Sequence, residues 1–305
     1  MIQNLLIMRF SNLWYERLFN RDCVECIKLT FKEDFGTQGR GGYFDKYGII
    51  RDIIQNHLTQ VLTLLTMEPP TVLVGPDAAH RVRDAKVAVL TAIRPVKEDD
   101  VFLGQYEGYT DDPTITNKDT TTPTFAQVRV FVNNARWEGV PIVFKAGKEM
   151  EERKSEIRIQ FKAAPAADFL FNNVCGEKGC PRNELVLRIQ PNEAIYMKTN
   201  VKAPGFSFEP VQSELEVNYD KRYSEEHNPD AYSRLILDVI HGNQAHFVRD
   251  DELIKSWEIF TPILHKIDRG DIKPKTYKVG SRGPDGADEW FSEKSGFVYD
   301  GKYKY

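Results

Sequence analysis

Between residues 124 and 219, apolar residues return at every second position in four separate stretches. They are Val128, Val130 and Val132; Ile157, Ile159 and Phe161; Leu185, Leu187 and Ile189; and Leu215, Val217 and Tyr219. A period of two places all the apolar side chains of a strand on one face. The connectors are short and polar, which predicts antiparallel pairing instead of crossover connections. The positions between are charged or aromatic: Arg129, Arg158, Arg188, Tyr196, Lys198, Glu214 and Glu216. One apolar and one charged face predict a sheet with helices on the first side and water on the second. The charged face also has the groups to hold an anion or a partner.

The helical stretches fit around this sheet. Leu5, Ile7, Met8, Leu13 and Leu18 predict a helix over 1–18. It lacks a capping Ser, Thr, Asp or Asn ahead of it, so the chain reads there as a cut end. A strand is expected over 23–31, with Ile27, Leu29 and Phe31 on one face and Lys28, Thr30 and Lys32 on the other. After a glycine-rich loop, Ile50, Ile54, His57, Val61 and Leu65 make one stripe of a helix over 49–66, stopped by Pro69 and Pro70. Asn228 as cap, Pro229 at the first position and Gly242 at the end frame another helix. A last one opens with Asp250, Asp251 and Glu252, which suit the positive end of a helix dipole, and carries Leu253, Trp257, Phe260 and Leu264 as its stripe. Neither a repeat nor a linker interrupts the pattern. The expectation is a single α+β domain over residues 1–305: a large, mostly antiparallel sheet with helices packed on one face.

Composition narrows the function classes. With 41% hydrophobic and 28% charged residues, the chain can bury a sizeable core and keep a solvated surface. A net charge of −4 gives no reason to expect nucleic acid or an anionic membrane as partner. No apolar run approaches the roughly 20 residues of a membrane span. Residues 1–10 have neither a basic flank nor a small-residue cleavage site, so they read as helix and not as a signal peptide. The four cysteines are too few for a disulfide framework in a chain this long. They are read as the sign of a soluble, intracellular, reducing setting.

Three features invite a site. The loop G-T-Q-G-R-G-G over 36–42 has Phe44 where a dinucleotide fingerprint needs its third glycine, and it lacks the Lys-Ser/Thr of a phosphate loop. It reads as a tight turn with positive φ. Cys23/Cys26 and Cys175/Cys180 have spacings that zinc sites use, but the pairs lie about 150 residues apart and Cys26 sits in a strand, so no metal is expected. His57 on an apolar stripe is either a core histidine or a base. Asp52 lies five residues earlier, about 140° round an α-helix, so the two flank one cleft only if a ligand lies across the helix. Glu33, just past a strand end, stands where site residues often occur.

At these residues the chain resembles a known family. FKEDFGTQGRGGYFD over 31–45, GIIRDIIQNHL over 48–58, RWEGVP over 136–141, GK at 147–148, ERK over 152–154, RNEL over 182–185, QPNEA over 190–194, DAY over 230–232, IFTP over 259–262 and GSRGP over 280–284 resemble the glucose-6-phosphate 1-dehydrogenases. The resemblance runs along the whole chain and leaves the family's N-terminal half uncovered. It implies an NADP-dependent oxidoreductase of the pentose phosphate pathway. Such an enzyme oxidises D-glucose 6-phosphate at C1 to the lactone and supplies NADPH. It also implies the family's C-terminal β+α domain, with the coenzyme domain missing, a homodimer or tetramer formed through the sheet, and a cytoplasmic location.

Carried over position by position, the resemblance makes His57 the general base, which suits a residue type that titrates near neutrality. It makes Glu33, Asp52, Lys148 and Gln190 substrate contacts. Many members bind a second, structural NADP against the sheet. By resemblance Lys154, Arg158, Arg188, Tyr196, Lys198, Arg282, Phe297, Tyr299 and Tyr305 match that site, with Lys32 nearby. Lys145, Glu216 and Tyr305 stand where arginine, aspartate and tryptophan are usual. Two readings follow: part of a working dehydrogenase, inactive as an isolated chain, or a non-catalytic dimerising module that binds structural NADP.

Overall fold

The computed structural model describes residues 4–75, 77–175, 179–218, 222–223 and 230–299. Nine strands form one sheet: β1 (Val24–Lys32), β2 (Val101–Tyr106), β3 (Phe125–Val130), β4 (Ile142–Gly147), β5 (Lys154–Phe161), β6 (Glu184–Gln190), β7 (Ala194–Lys202), β8 (Pro210–Asn218) and β9 (Lys275–Tyr277). Their order is β8-β7-β6-β5-β1-β4-β3-β2-β9. Six of the neighbouring pairs are antiparallel, and β1–β4 and β2–β9 are parallel. The mostly antiparallel sheet is therefore as expected. The crossover from β1 to β4 takes in the helical stretches over 41–91 and β2 and β3, which is what a parallel neighbour demands.

The period-two pattern settles which side of each strand is covered. Ile27 and Leu29 of β1, Phe144 of β4, Ile157 and Ile159 of β5, and Leu185 and Leu187 of β6 are fully buried in one continuous core. Helices cover this face: α1 (Asn4–Ser11), α2 (Leu13–Leu18), a π-helix (Ile50–Leu58) running into α4 (Thr59–Thr66), α5 (Ala78–Thr91) and α8 (Asp250–Asp268), with the short α3 (Gly41–Phe44) beside them. The single N-terminal helix expected over 1–18 is broken at Asn12, whose backbone is extended. Residues 1–3 lie outside the described residues. Arg9 of α1 is fully buried and donates to the carbonyls of Leu64 (3.4 Å) and Met67 (2.7 Å). Trp137 Nε1 donates to Thr66 (2.8 Å). Together they satisfy the last carbonyls of α4, where a cation also meets the negative end of the dipole.

Four expectations change in the structure. Asn228 and Pro229 lie outside the described residues, and α7 (Ala231–Ile240) is capped by Asp230, whose carboxylate accepts from the amides of Tyr232 and Ser233. On α8 the buried stripe is Glu252, Ser256, Ile259, Phe260, Ile263, Leu264 and Ile267, so Leu253 faces outward. Cys175, at the end of α6 (Ala167–Cys175), is joined to Cys180 by a disulfide that closes a short local loop. Four cysteines are too few for a disulfide framework, yet this pair forms one local bridge. Cys23 and Cys26 stay free.

The fourth change concerns the charged face, which is not left to water. A helix from the chain's end, α9 (Ala287–Ser295), and the tail through Tyr299 lie across its middle strands. Beneath them Phe291 and Phe297 pack on Cys26 and Val143 in a second, smaller cluster.

Candidate functional site

Of the site residues predicted from sequence, Glu33, Lys148 and Gln190 lie at one end of the sheet, His57 and Asp52 on a neighbouring helix, and the rest of those described on or beside the charged face. At the end, β1 and β4 run parallel, so their C-terminal residues emerge side by side, and the end of β6 lies two strands away. Gln190 pairs with Ser155, Ser155 with Phe31, and Phe31 with Ala146. Glu33 and Lys148 follow directly on this row. The Lys148 ammonium meets the Glu33 carboxylate at 2.5 Å and lies 5.1 Å from the centroid of the Phe44 ring. Backbone bonds hold both residues: Glu33 N donates to Gly147 (2.9 Å), Met150 N donates to Glu33 (2.9 Å), and Tyr277 Oη donates to the Lys148 carbonyl (2.6 Å). Gln190 is exposed at its strand end.

His57 and Asp52 sit on the π-helix, which packs against β4 and β1. Its core-facing residues are Ile50, Ile53, Ile54, Gln55 and Leu58. The expected stripe placed His57 among them. In the structure the imidazole is exposed and Asp52 is half-buried. The wider i→i+5 turn changes the phase of the helix, bringing residues five apart toward one side. His57 and Asp52 thus share the outer side. Among the described residues neither makes a hydrogen bond or ion pair with Glu33, Lys148 or Gln190.

The glycine loop beside Glu33 is occupied by the protein itself. Asp112 accepts from Thr37 Oγ1 (2.6 Å) and from the amides of Gly39 (2.9 Å) and Gly41 (3.3 Å). Bonds from Thr114, then those from Thr37 and Gly39, hold its carboxyl well below the usual carboxylate range. Gly39 has φ +81°, and a Cβ on Gly42 would stand 2.5 Å from the Thr114 carbonyl oxygen. The turn reading therefore stands, and Asp112 is the residue it missed. Its signal was only a D-P-T sequence 70 residues away.

On the charged face, Lys32, Lys154, Arg158, Arg282, Phe297 and Tyr299 line one cavity of about 40 Å³. Lys28, Thr30, Lys145 and Glu156 complete it. Lys28 was visible in the sequence only as the partner of Thr30 and Lys32 on one face of β1. The cations are answered from within: Lys32 by Glu151 (2.7 Å) and Glu152 (2.6 Å), Arg158 by Glu156 (2.9 Å) and Glu184 (2.5 Å), and Arg282 by Asp288 (2.8 Å). Burial pushes the Lys145 ammonium down to about 8, against the pull of Asp288. Arg188, Tyr196 and Lys198 lie further out, on β6 and β7. The Arg188 guanidinium lies 5.5 Å from the Tyr196 ring centroid, and its buried Nε meets no acceptor among the described residues. Tyr305 lies outside the described residues.

Comparison with known proteins gives these positions a context. Residues 6–300 match the family model for the glucose-6-phosphate dehydrogenase C-terminal domain. The chain is 53% identical over 298 residues to glucose-6-phosphate 1-dehydrogenase 5, cytoplasmic, of Arabidopsis thaliana, covering 98% of this chain and 55% of that protein. It is 54% identical to the cytoplasmic isoform of Solanum tuberosum, again over 98% of this chain and 56% of that one. A solved structure of glucose-6-phosphate dehydrogenase in complex with its substrate glucose-6-phosphate superposes with a TM-score of 0.89 at 44% identity, over 98% of this chain and 61% of that one. The chain spans about half the length of the curated relatives it matches.

Proposed function

Because this chain belongs to the glucose-6-phosphate dehydrogenase family, we propose that it is the β+α substrate domain of an NADP-dependent enzyme oxidising D-glucose 6-phosphate at C1 to 6-phosphogluconolactone. The observation that carries the reading is the match over residues 6–300, which includes Glu33, Asp52, His57, Lys148 and Gln190. NADP accepts the hydride, held by groups outside these residues. His57 takes the C1 hydroxyl proton while the C1 hydrogen leaves with its electron pair and the C1–O bond becomes the lactone carbonyl. Its exposed ring suits a base that must reach substrate. Glu33 and Asp52 accept hydrogen bonds from sugar hydroxyls, and Lys148 and Gln190 donate to them. The Glu33–Lys148 pair keeps each charge satisfied until hydroxyls replace it.

In the protein with its N-terminal half present, His57→Asn lowers kcat by about 100- to 10,000-fold and changes KM little. Unchanged turnover means His57 is not the base. The 305 residues alone produce no NADPH from glucose 6-phosphate, and substrate-dependent NADPH from a homogeneous preparation counts against this reading.

A specific observation supports a second, structural role for NADP on the charged face: the ring of cations with the unmet Arg188 Nε. A cavity of about 40 Å³ has room for about three waters. That is the size of a phosphate group, so the rest of the dinucleotide lies outside it along Arg188 and Tyr196. A homodimer formed through the outer strands is supported by the exposed Leu215 and Val217 of β8. A cytoplasmic location is supported by the names of the plant relatives.

A further inference from the structure

We propose that Lys28 is a further phosphate-binding residue of the sheet-face cavity, the cation there whose counter-charge comes from the ligand. The proposal rests on the reading that this face takes NADP. Every other cation lining the cavity has a carboxylate. Lys32 has Glu151 and Glu152, Lys154 has Glu152 (3.1 Å), Arg158 has Glu156 and Glu184, and Lys145 (3.6 Å) shares Asp288 with Arg282. Lys28 makes no ion pair among the described residues. Its Nζ lies 3.4 Å from Tyr299 Oη and 4.0 Å from the centroid of the fully buried Phe291 ring. Rings stabilise a cation there, but by less than a carboxylate does at the same distance.

The groups around it explain why the proton matters. Lys145 faces Lys28 from β4, Glu156 and Arg158 from β5, Asp288 from α9, Arg282 from the connector, Tyr299 from the tail, and Lys32 and Cys26 from its own strand. Burial, then the charge of Lys145, holds the Lys28 ammonium well below the usual lysine range. A phosphate dianion alongside it reverses both effects, because an opposite charge within about 4–6 Å favours the charged form. The cavity therefore takes up a proton with its ligand, and affinity falls as pH rises.

The test is calorimetric titration of the chain with NADP, NAD and inorganic phosphate at pH 8, in two buffers of different ionisation enthalpy. NADP binding by the unsubstituted chain is accompanied by proton uptake. Lys28→Met weakens that binding about tenfold, the loss of one charge-assisted contact, and reduces the uptake. Lys28→Arg, whose charge does not titrate, keeps binding and also reduces the uptake, which separates ligation from a folding defect. Binding of inorganic phosphate without NADP supports Lys28 as a ligand for a free anion. Equal affinity and equal proton uptake in all three proteins overturns the proposal while leaving NADP on this face. Failure of the unsubstituted chain to bind any of the three probes overturns the reading beneath it.

Discussion

Lys145 and Lys28 set how the protein responds to mild alkali. A base whose folded value is lowered leaves the native state with fewer protons than the unfolded chain, from the folded value up to the ordinary lysine range. Unfolding free energy therefore rises with pH across that window. The window opens near 8 for the buried Lys145. Cys26 works the other way: burial pushes its thiol up to about 12, so above the ordinary thiol range the native state keeps a proton that the unfolded chain loses. Between pH 7.5 and 9 the lysines win, and urea unfolding of the unliganded chain gains about 1 kcal/mol from Lys145. Lys145→Met flattens the rise. A slope unchanged by that substitution counts against the burial argument. The identities of these residues were plain from the chain; their protonation was not, because it depends on α9 and the tail lying over them.

At the scale of elements, the buried pair between α5 and α8 is the sharpest test. Lys86 Nζ lies 2.7 Å from Glu252 Oε1, with both side chains almost wholly out of water. Removing one partner strands a charge, whereas removing both does not. Lys86→Ala is therefore expected to cost about 3–5 kcal/mol in denaturant unfolding, and Lys86→Met combined with Glu252→Leu to recover most of it. If the double variant is as unstable as the single one, the pair is more than a matched burial. The capping position of Glu252 at the start of α8 could be read from the acidic run 250–252. Its partner could not, since Lys86 lies 166 residues earlier in the chain. The π-helix is the other lesson of this scale. An α-helical period put His57 in the core and set Asp52 apart from it, and the i→i+5 turn reverses both placements.

Across the whole molecule, burial falls from the centre of the sheet to its β8 edge. Ile27 and Leu29 of β1 are fully buried, whereas Leu215 and Val217 of β8 are 65% and 46% exposed. On α7, Ile236, Val239 and Ile240 are exposed as well. Local opening follows buried contact, so amides of β8 exchange with deuterium far faster than those of β1, β4 and β5 in the monomer. If the β8 face is the subunit contact, dimer formation slows that exchange and Leu215→Lys shifts sedimentation to the monomer. Equal exchange of β8 and β1 in the monomer contradicts the gradient.

The sequence by itself determined the two-faced sheet and the glycine turn, whereas the candidate site residues come from the family resemblance. The sheet faces and the turn are local properties, because alternation with period two assigns faces without knowing the neighbours, and positive φ selects glycine in place. Tertiary structure alone decided that β1 and β4 run parallel, which sets Glu33 beside Lys148. It also decided that Asp112 fills the glycine loop and that the charged face is roofed by α9. These depend on strand order and on which distant segment returns to which face, and no local period encodes a contact between segments so far apart in the chain. The cations lining the cavity differ in the same way: Lys32, Lys145 and Arg158 meet carboxylates from distant segments, Lys154 and Arg282 meet nearby ones, and Lys28 meets two aromatic rings.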